Sequence, residues 1–348
     1  MTSDSTVHAR PDRTRRRHRG WLIALGVVLS LILAVVVVTS ITPWPSAMLI
    51  RAVFEQGGQA TAAEMERHVP DTPVRETTGI AYAGEDAGLT LDVYTTADEG
   101  EVRPTVVWIH GGAWISGSSA DVDPYMRILA DAGYTAIAVN YTLGPEAVYP
   151  TAVIEINEAM AYIDDHAEDL SVDATQLVIA GDSAGGQLAS QMATLVTNPD
   201  YAELMDITPA WTPDQLVGAI LNCGVYDMRA MTDLPGIVGW GFKIALWSYT
   251  GTKDWAAESP GATMSTIEFV TSDFPPTYIS GGNGDGLTWL EGIPMAQRLR
   301  SLDVPVTDVF WPADHQPALP HEYQFHLDLD EAQHALDETL EYLSSVTD

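Results

Sequence analysis

Two kinds of apolar run alternate along most of this chain. Short runs of roughly four to eight residues, rich in β-branched side chains, read as buried strands at 105–109, 135–139, 176–180, 216–222, 276–280 and 305–311. Longer segments with apolar residues at helical spacing lie at 121–132, 151–167, 184–197, 290–302 and 328–345. This alternation predicts a mainly parallel central sheet with helices on both faces, and binding loops at the C-terminal edge of the strands. Ahead of it, residues 76–94 alternate apolar and polar positions in two runs around Gly84-Glu85-Asp86, as a hairpin would. One interval breaks the rhythm. Between Tyr226 and Pro275 there is no strand pattern, while Trp240, Phe242, Trp247, Tyr249, Trp255 and Phe269 gather there. A lid-like insertion over 226–275 is expected, its aromatics lining a pocket or burying the insertion against the body.

The N-terminal pattern differs in kind. Residues Trp21 to Ile41 carry no charge and follow Arg10, Arg13, Arg15, Arg16, Arg17 and Arg19. At about 1.5 Å per helical residue, some twenty residues cross a bilayer's hydrocarbon core. The run exceeds the usual 7 to 15 residue core of a signal peptide, and no clear Ala-x-Ala site follows, although Ser46-Ala47 is a conceivable cleavage point. An uncleaved anchor is the expectation. Positive-inside asymmetry places the basic tail 1–20 in the cytoplasm, the span 21–41 in the membrane, and a catalytic body 75–348 outside. The stretch 42–74 reads as membrane-proximal, with Met48, Leu49, Ala52 and Val53 on one helical face that rests on lipid or on the body.

Composition narrows the function classes. With 348 residues and 46% hydrophobic content, the body forms one large domain. The formal net charge of −32 arises despite the basic tail, so the body repels phosphate backbones and nucleic-acid binding is not expected. Cys223 has no disulfide partner, and neither it nor the scattered histidines form a metal-ligand cluster; no cofactor is called for.

Chemistry enters at two strand ends. After the strand 176–180 comes Gly181-Asp182-Ser183-Ala184-Gly185, followed at once by a helix. Such a turn forces a serine into a cramped backbone conformation, puts its hydroxyl at a helix N-terminus, and requires glycine two positions away on either side. After the strand 105–109 comes His110-Gly111-Gly112-Ala113-Trp114, whose small residues let backbone N–H groups approach the same point. Gly111, Gly112, Ala113 and Ala184 are thus the candidate oxyanion hole for a Ser183 nucleophile. His110 is expected to make a structural hydrogen bond. Trp114 is a candidate substrate contact.

These motifs resemble the hormone-sensitive-lipase-like branch of the α/β-hydrolases, in which His-Gly-Gly-Gly-[Phe/Trp] and Gly-Asp-Ser-Ala-Gly-Gly recur. The family's Tyr-Arg-Leu-Ala-Pro-Glu is matched by Tyr141-Thr142-Leu143-Gly144-Pro145-Glu146. The resemblance covers about residues 75–346 and implies an α/β-hydrolase fold and carboxylesterase chemistry. It places the acid in Gly282-Asn283-Gly284-Asp285-Gly286-Leu287, hence at Asp285, with Asp308 and Asp314 as competitors. For the base, spacing from the acid favours His315, whereas the family's His-Gly-Phe and the onset of the last helix favour His321. His321 is the choice and His315 the alternative; His326 and His334 read as solvated. The expected protein is a membrane-anchored serine carboxylesterase for small to medium esters. An amidase or an acyltransferase acting on envelope components could use the same groups, and a non-enzymatic receptor could use the same fold. Neither the natural ester nor the oligomeric state is encoded in these motifs.

Overall fold

The computed structural model describes residues 13–84, 88–257 and 259–347. The basic tail before Arg13 and the hairpin-turn residues Glu85 and Asp86 lie outside the described residues. Two units are distinct, Met1–Ser46 and Ala47–Asp348. The first holds α1 (Arg13–Ile41), whose stretch Trp21–Ile41 is long and apolar enough to cross a membrane, with a mean hydropathy of 3.0.

The second unit is built on eight strands: β1 (Arg75–Ala81), β2 (Thr90–Thr95), β3 (Arg103–Ile109), β4 (Thr135–Val139), β5 (Val172–Asp182), β6 (Leu216–Asn222), β7 (Thr277–Gly281) and β8 (Val306–Phe310). They form one sheet in the order β1-β2-β4-β3-β5-β6-β7-β8. The β1/β2 and β2/β4 pairs are antiparallel and all others are parallel. The helices are α2 (Trp44–Met65), α3 (Asp123–Asp131), α4 (Thr151–Asp165), α5 (Ala184–Thr197), α6 (Pro199–Met205), α7 (Gly236–Thr250), α8 (Ser259–Met264), α9 (Ile293–Arg300) and α10 (Asp330–Thr347).

Alternation along each strand sorts the core into two layers. Val107, Ile109, Ile137, Ile179 and Leu221 face α4 and α5. Val106, Trp108, Ala138, Val178 and Ile220 face α3 and α10. A run apolar at every position therefore becomes a strand buried on both sides, which is why these segments could be read without periodicity.

Three local differences from the sequence reading have clear causes. The expected helix at 290–302 is a wider turn over Thr288–Gly292 followed by α9, because Pro294 in the first turn has no N–H to continue the ladder. The segment α7 shows no helical period in sequence, since it is apolar on nearly all sides and carries three glycines. Most consequentially, α2 belongs to the body, which starts at Ala47 and not at residue 75.

Docking of α2 is specific. Ala47 and Ile50 pack with Ile115 and Ala245, and Met65 is fully buried against the α3 layer. Arg51 forks onto Glu146 through both guanidinium nitrogens at 2.6 and 2.7 Å, donates to the Gly144 carbonyl at 2.9 Å, and reaches the Ile115 carbonyl through Nε. A planar bidentate donor suits that geometry in a way lysine cannot. Since Ile115 lies in the turn after β3, Arg51→Met is expected to lower kcat/KM for an ester by about tenfold. A double-mutant cycle with Glu146→Gln should show the two losses failing to add, which steady-state kinetics on the four proteins would check.

Candidate active site

Strand register brings the two motif loops together. In the parallel β3/β5 pair Ile109 lies opposite Gly181, so His110 and Gly111 emerge beside Asp182 and Ser183. Asp182 in turn pairs with Asn222 of β6, and the Ser183 N–H donates to the Asn222 carbonyl at 2.8 Å. Ser183 sits at φ 52° and ψ −117°, a conformation strained for a residue with a side chain. A Cβ on Gly185 would run into the Ile109 carbonyl, and one on Gly181 into the Gly185 backbone. The motif's glycines are there because the end of β3 and the start of α5 touch.

The hydroxyl has a partner. His321 Nε2 stands 2.9 Å from Ser183 Oγ, and His321 Nδ1 stands 2.7 Å from Asp285 Oδ2. The other oxygen of Asp285 accepts the Leu287 N–H at 2.9 Å, which fixes the carboxylate. Burial opposes charging of the imidazole, but Cys223 and Asp285 beside it outweigh that, and its pKa lies well above the ordinary histidine value. Burial also pushes the Cys223 thiol up to about 11.

Opposite the serine, the Ile115 and Ser116 N–H groups both donate to the Gly112 carbonyl, at 3.1 and 3.0 Å, and close a tight turn. Gly112, Ala113 and Trp114 all have positive φ within it. The N–H groups of Gly112 and Ala113 have no acceptor among the described residues. Nor does the Ala184 N–H find one a turn back, because Ala184 opens α5. A cleft of about 650 Å³ opens over these groups, walled by Val53, Phe54 and Gly57 of α2 on one side and by Val238 and Phe242 of α7 on another. Among the described residues no cluster of His, Cys, Asp and Glu could hold a metal ion.

Comparison with known proteins agrees with this architecture. The sequence profile of the BD-FAE family matches residues 91–292, more than half of the chain. The chain belongs to the BD-FAE family. Its fold is that of the α/β-hydrolases. An arylesterase of Saccharolobus solfataricus is 34% identical over 143 residues, 41% of this chain and 46% of that protein. Esterase LipQ of Mycobacterium tuberculosis is 26% identical over 238 residues, 66% of this chain and 53% of that protein. The chain spans about half the length of the curated relatives it matches. Among solved structures, Esterase B of Lactobacillus rhamnosis superposes with a TM-score of 0.72 at 22% identity, covering 87% of this chain and 96% of that one. The esterase of Pyrobaculum calidifontis gives 0.68 at 23% identity, covering 86% and 93%.

Three sequence assignments need correction. Gly111 was counted in the oxyanion hole, but its N–H donates to Asp182 Oδ2 at 2.9 Å and is engaged. Trp114 was the candidate substrate contact, yet it is fully buried, stacks on Tyr249 at 5.5 Å and donates to Gln187 at 3.0 Å. Its positive φ turns the indole away from the cleft and into the core. His315, the alternative base, is held by Glu331 of α10 at 2.8 Å and lies against Trp311. Asp308 pairs with Arg300. His326, expected to be solvated, instead contacts Glu64 of α2 at 3.1 Å. His110 stacks on Tyr141 at 4.6 Å, hydrogen-bonds the Gly111 carbonyl, and is kept neutral by burial, which takes its pKa down to about 4. Of the six aromatics named in the insertion, Phe242 alone lines the cleft.

Other residues that shape the BD-FAE site carried no assigned role in the sequence. Asp182 accepts from Trp108 Nε1 at 2.7 Å as well as from Gly111, and so clamps the loop after β3 to the turn that carries Ser183. Its signal was its place next to the serine. Glu322 occupies the position of the glycine in His-Gly-Phe, adopts φ 57°, and sets Oε1 at 3.6 Å from His321 Nε2. A left-handed non-glycine costs on the order of 1–2 kcal/mol, so the chain accepts strain to hold a carboxylate there. Glu291 is buried and accepts from the N–H groups of Tyr226 and Asp227 at 2.8 and 2.7 Å, and burial raises its pKa to about 8. A carboxyl raised this way loses folded-state stability as pH rises from its unfolded value near 4.5 through about 8. Glu291→Gln should therefore melt higher than the parent at pH 8 by roughly 2 °C or more, with a smaller difference at pH 5, in thermal scans at both values.

Proposed function

We propose that the protein is a serine carboxylesterase whose nucleophile, base and acid are Ser183, His321 and Asp285. The single observation carrying this reading is the continuous hydrogen-bond chain Ser183 Oγ, His321 Nε2, His321 Nδ1, Asp285 Oδ2 at a strained strand-to-helix turn. In the reaction, His321 takes the hydroxyl proton as Ser183 attacks the ester carbonyl. Asp285 fixes the tautomer and stabilises the imidazolium that forms. The oxyanion receives the N–H groups of Gly112, Ala113 and Ala184, which need no reorganisation to serve it. Collapse of the tetrahedral adduct breaks the ester C–O bond, and His321 protonates the departing alcohol. Water then attacks the acyl-enzyme with His321 again as base, releasing the acid and restoring Ser183. Esterase B, a structural neighbour, has been solved with a tributyrin phosphonate, a class of reagent that tests an activated serine directly. The testing experiment is labelling of the detergent-solubilised protein with a fluorophosphonate probe. Labelling that needs Ser183 and His321 but survives His315→Ala supports the reading; a folded wild type that takes no label overturns it and turns attention to the receptor alternative.

The location proposed with it is the cytoplasmic membrane. The segment Trp21–Ile41 serves as a single span with the arginine-rich end inside and the body outside.

A further inference from the structure

The mouth of the cleft is bordered by apolar side chains that nothing covers. On α2, Leu49 is 63% exposed and Val53 60%. On α7, Ile237 is 82% exposed and Val238 59%, with Trp240 beside them. The two helices are neighbours, since Ile50 and Ala47 of one pack with Ala245 of the other. Val53, Phe54 and Val238 belong both to this rim and to the inner wall of the cleft, so the apolar surface runs from outside the protein toward Ser183 without a break.

Charge sets the same region apart. The chain has 48 acidic residues, yet none lies between Asp12 and Glu55 or between Asp233 and Thr250. The one lysine or acidic residue on α7 is Lys243, which is exposed. Over this stretch the protein offers aliphatic and indole groups with a lysine, the composition of an interfacial helix.

We propose that the α2/α7 rim docks on the surface of a lipid bilayer and that the cleft draws its ester from the bilayer, the acyl chain entering along Val53, Phe54 and Val238. The occupant is a membrane rather than a second copy because of connectivity. Only Thr42 and Pro43 separate the apolar helix ending at Ile41 from α2, so a bilayer that holds the first presents itself to the second at high effective concentration. The cleft also selects within lipids. Its acidic lining residues are Asp121, Asp182, Asp285 and Glu322, and no lysine or arginine waits for an anionic headgroup. Neutral esters of the acylglycerol kind fit; anionic phospholipids are repelled. The substrate half of the proposal rests on the esterase reading above, whereas the docking half does not.

The test uses the full chain reconstituted into phosphatidylcholine vesicles. Leu49, Ile237 and Trp240 lie outside the cleft lining, so the variant Leu49→Ser/Ile237→Ser/Trp240→Ser should hydrolyse water-soluble 4-nitrophenyl acetate within twofold of the parent. Its turnover of bilayer-dissolved trioctanoylglycerol should fall about tenfold or more. In parallel, a fluorophore on Ile237→Cys should be quenched by spin-labelled phosphatidylcholine, while one on Thr175→Cys, at an exposed position of β5, should not. Equal turnover of trioctanoylglycerol by parent and variant, or a proportional loss on both esters, overturns the lipid route. Absence of quenching at 237 overturns the docking. A parent that hydrolyses neither ester while still showing quenching at 237 refutes the esterase reading and the lipid route together, and leaves the docking supported.

Discussion

Ser183→Ala is expected to lower kcat for ester hydrolysis by about 10⁶-fold while leaving the protein folded. Serine hydrolases lose roughly this much when the nucleophile alone is removed, because what remains is binding and the oxyanion hole without a covalent route. Folding should survive, since the turn that carries Ser183 is held by backbone contacts. The Ser183 N–H donates to the Asn222 carbonyl, and the close approach of Gly185 to Ile109 does not involve the hydroxyl. The positive φ of Ser183 will cost alanine no less than serine, so a small drop in melting temperature is expected. Circular dichroism for the fold and single-turnover kinetics for acylation check both halves. Burst acylation retained in the variant would remove Ser183 from the mechanism.

The second large effect belongs to Asp285→Asn. An amide in place of the carboxylate can present its N–H to His321 Nδ1 and so stabilise the wrong tautomer, for which a loss of about 10⁴ in kcat is the reference magnitude. The pH profile distinguishes this from simple disruption. In the parent, the imidazole pKa stands well above its ordinary value despite burial, with the Asp285 carboxylate among the groups that lift it. His321 must be neutral to act as base, so kcat/KM rises with pH through that pKa. Removing the anion lowers the pKa, and the residual activity should rise at a lower pH than the parent's. A loss of rate with the limb unmoved would mean that Asp285 matters only for local structure.

The sheet was legible because strands buried on both faces are apolar at every position, and the turns between them are marked by glycine and proline. Ser183 was legible for a related reason: its turn is local, and the close backbone approach it needs can be written in five consecutive residues. Contacts across long sequence separations left no such mark. Arg51 and Glu146 lie 95 residues apart, and a single arginine in an apolar stretch does not say which carboxylate it meets. The choice between His321 and His315 likewise turned on a remote partner, because Glu331 of α10 holds the second ring away from Ser183. Trp114 was misread because its backbone turns left-handed, which reverses the direction in which the side chain leaves the loop.

The Arg51 fork has a practical side for anyone preparing a soluble form of this protein. Trimming back to residue 75, where the strand pattern begins, would strip the cleft of one wall and leave Glu146 and the carbonyls of Gly144 and Ile115 without their donor. A start just before Ala47 removes the greasy N-terminal segment and keeps the fork. The shorter product would be the worse catalyst, and its weakness could easily be mistaken for a wrong choice of substrate.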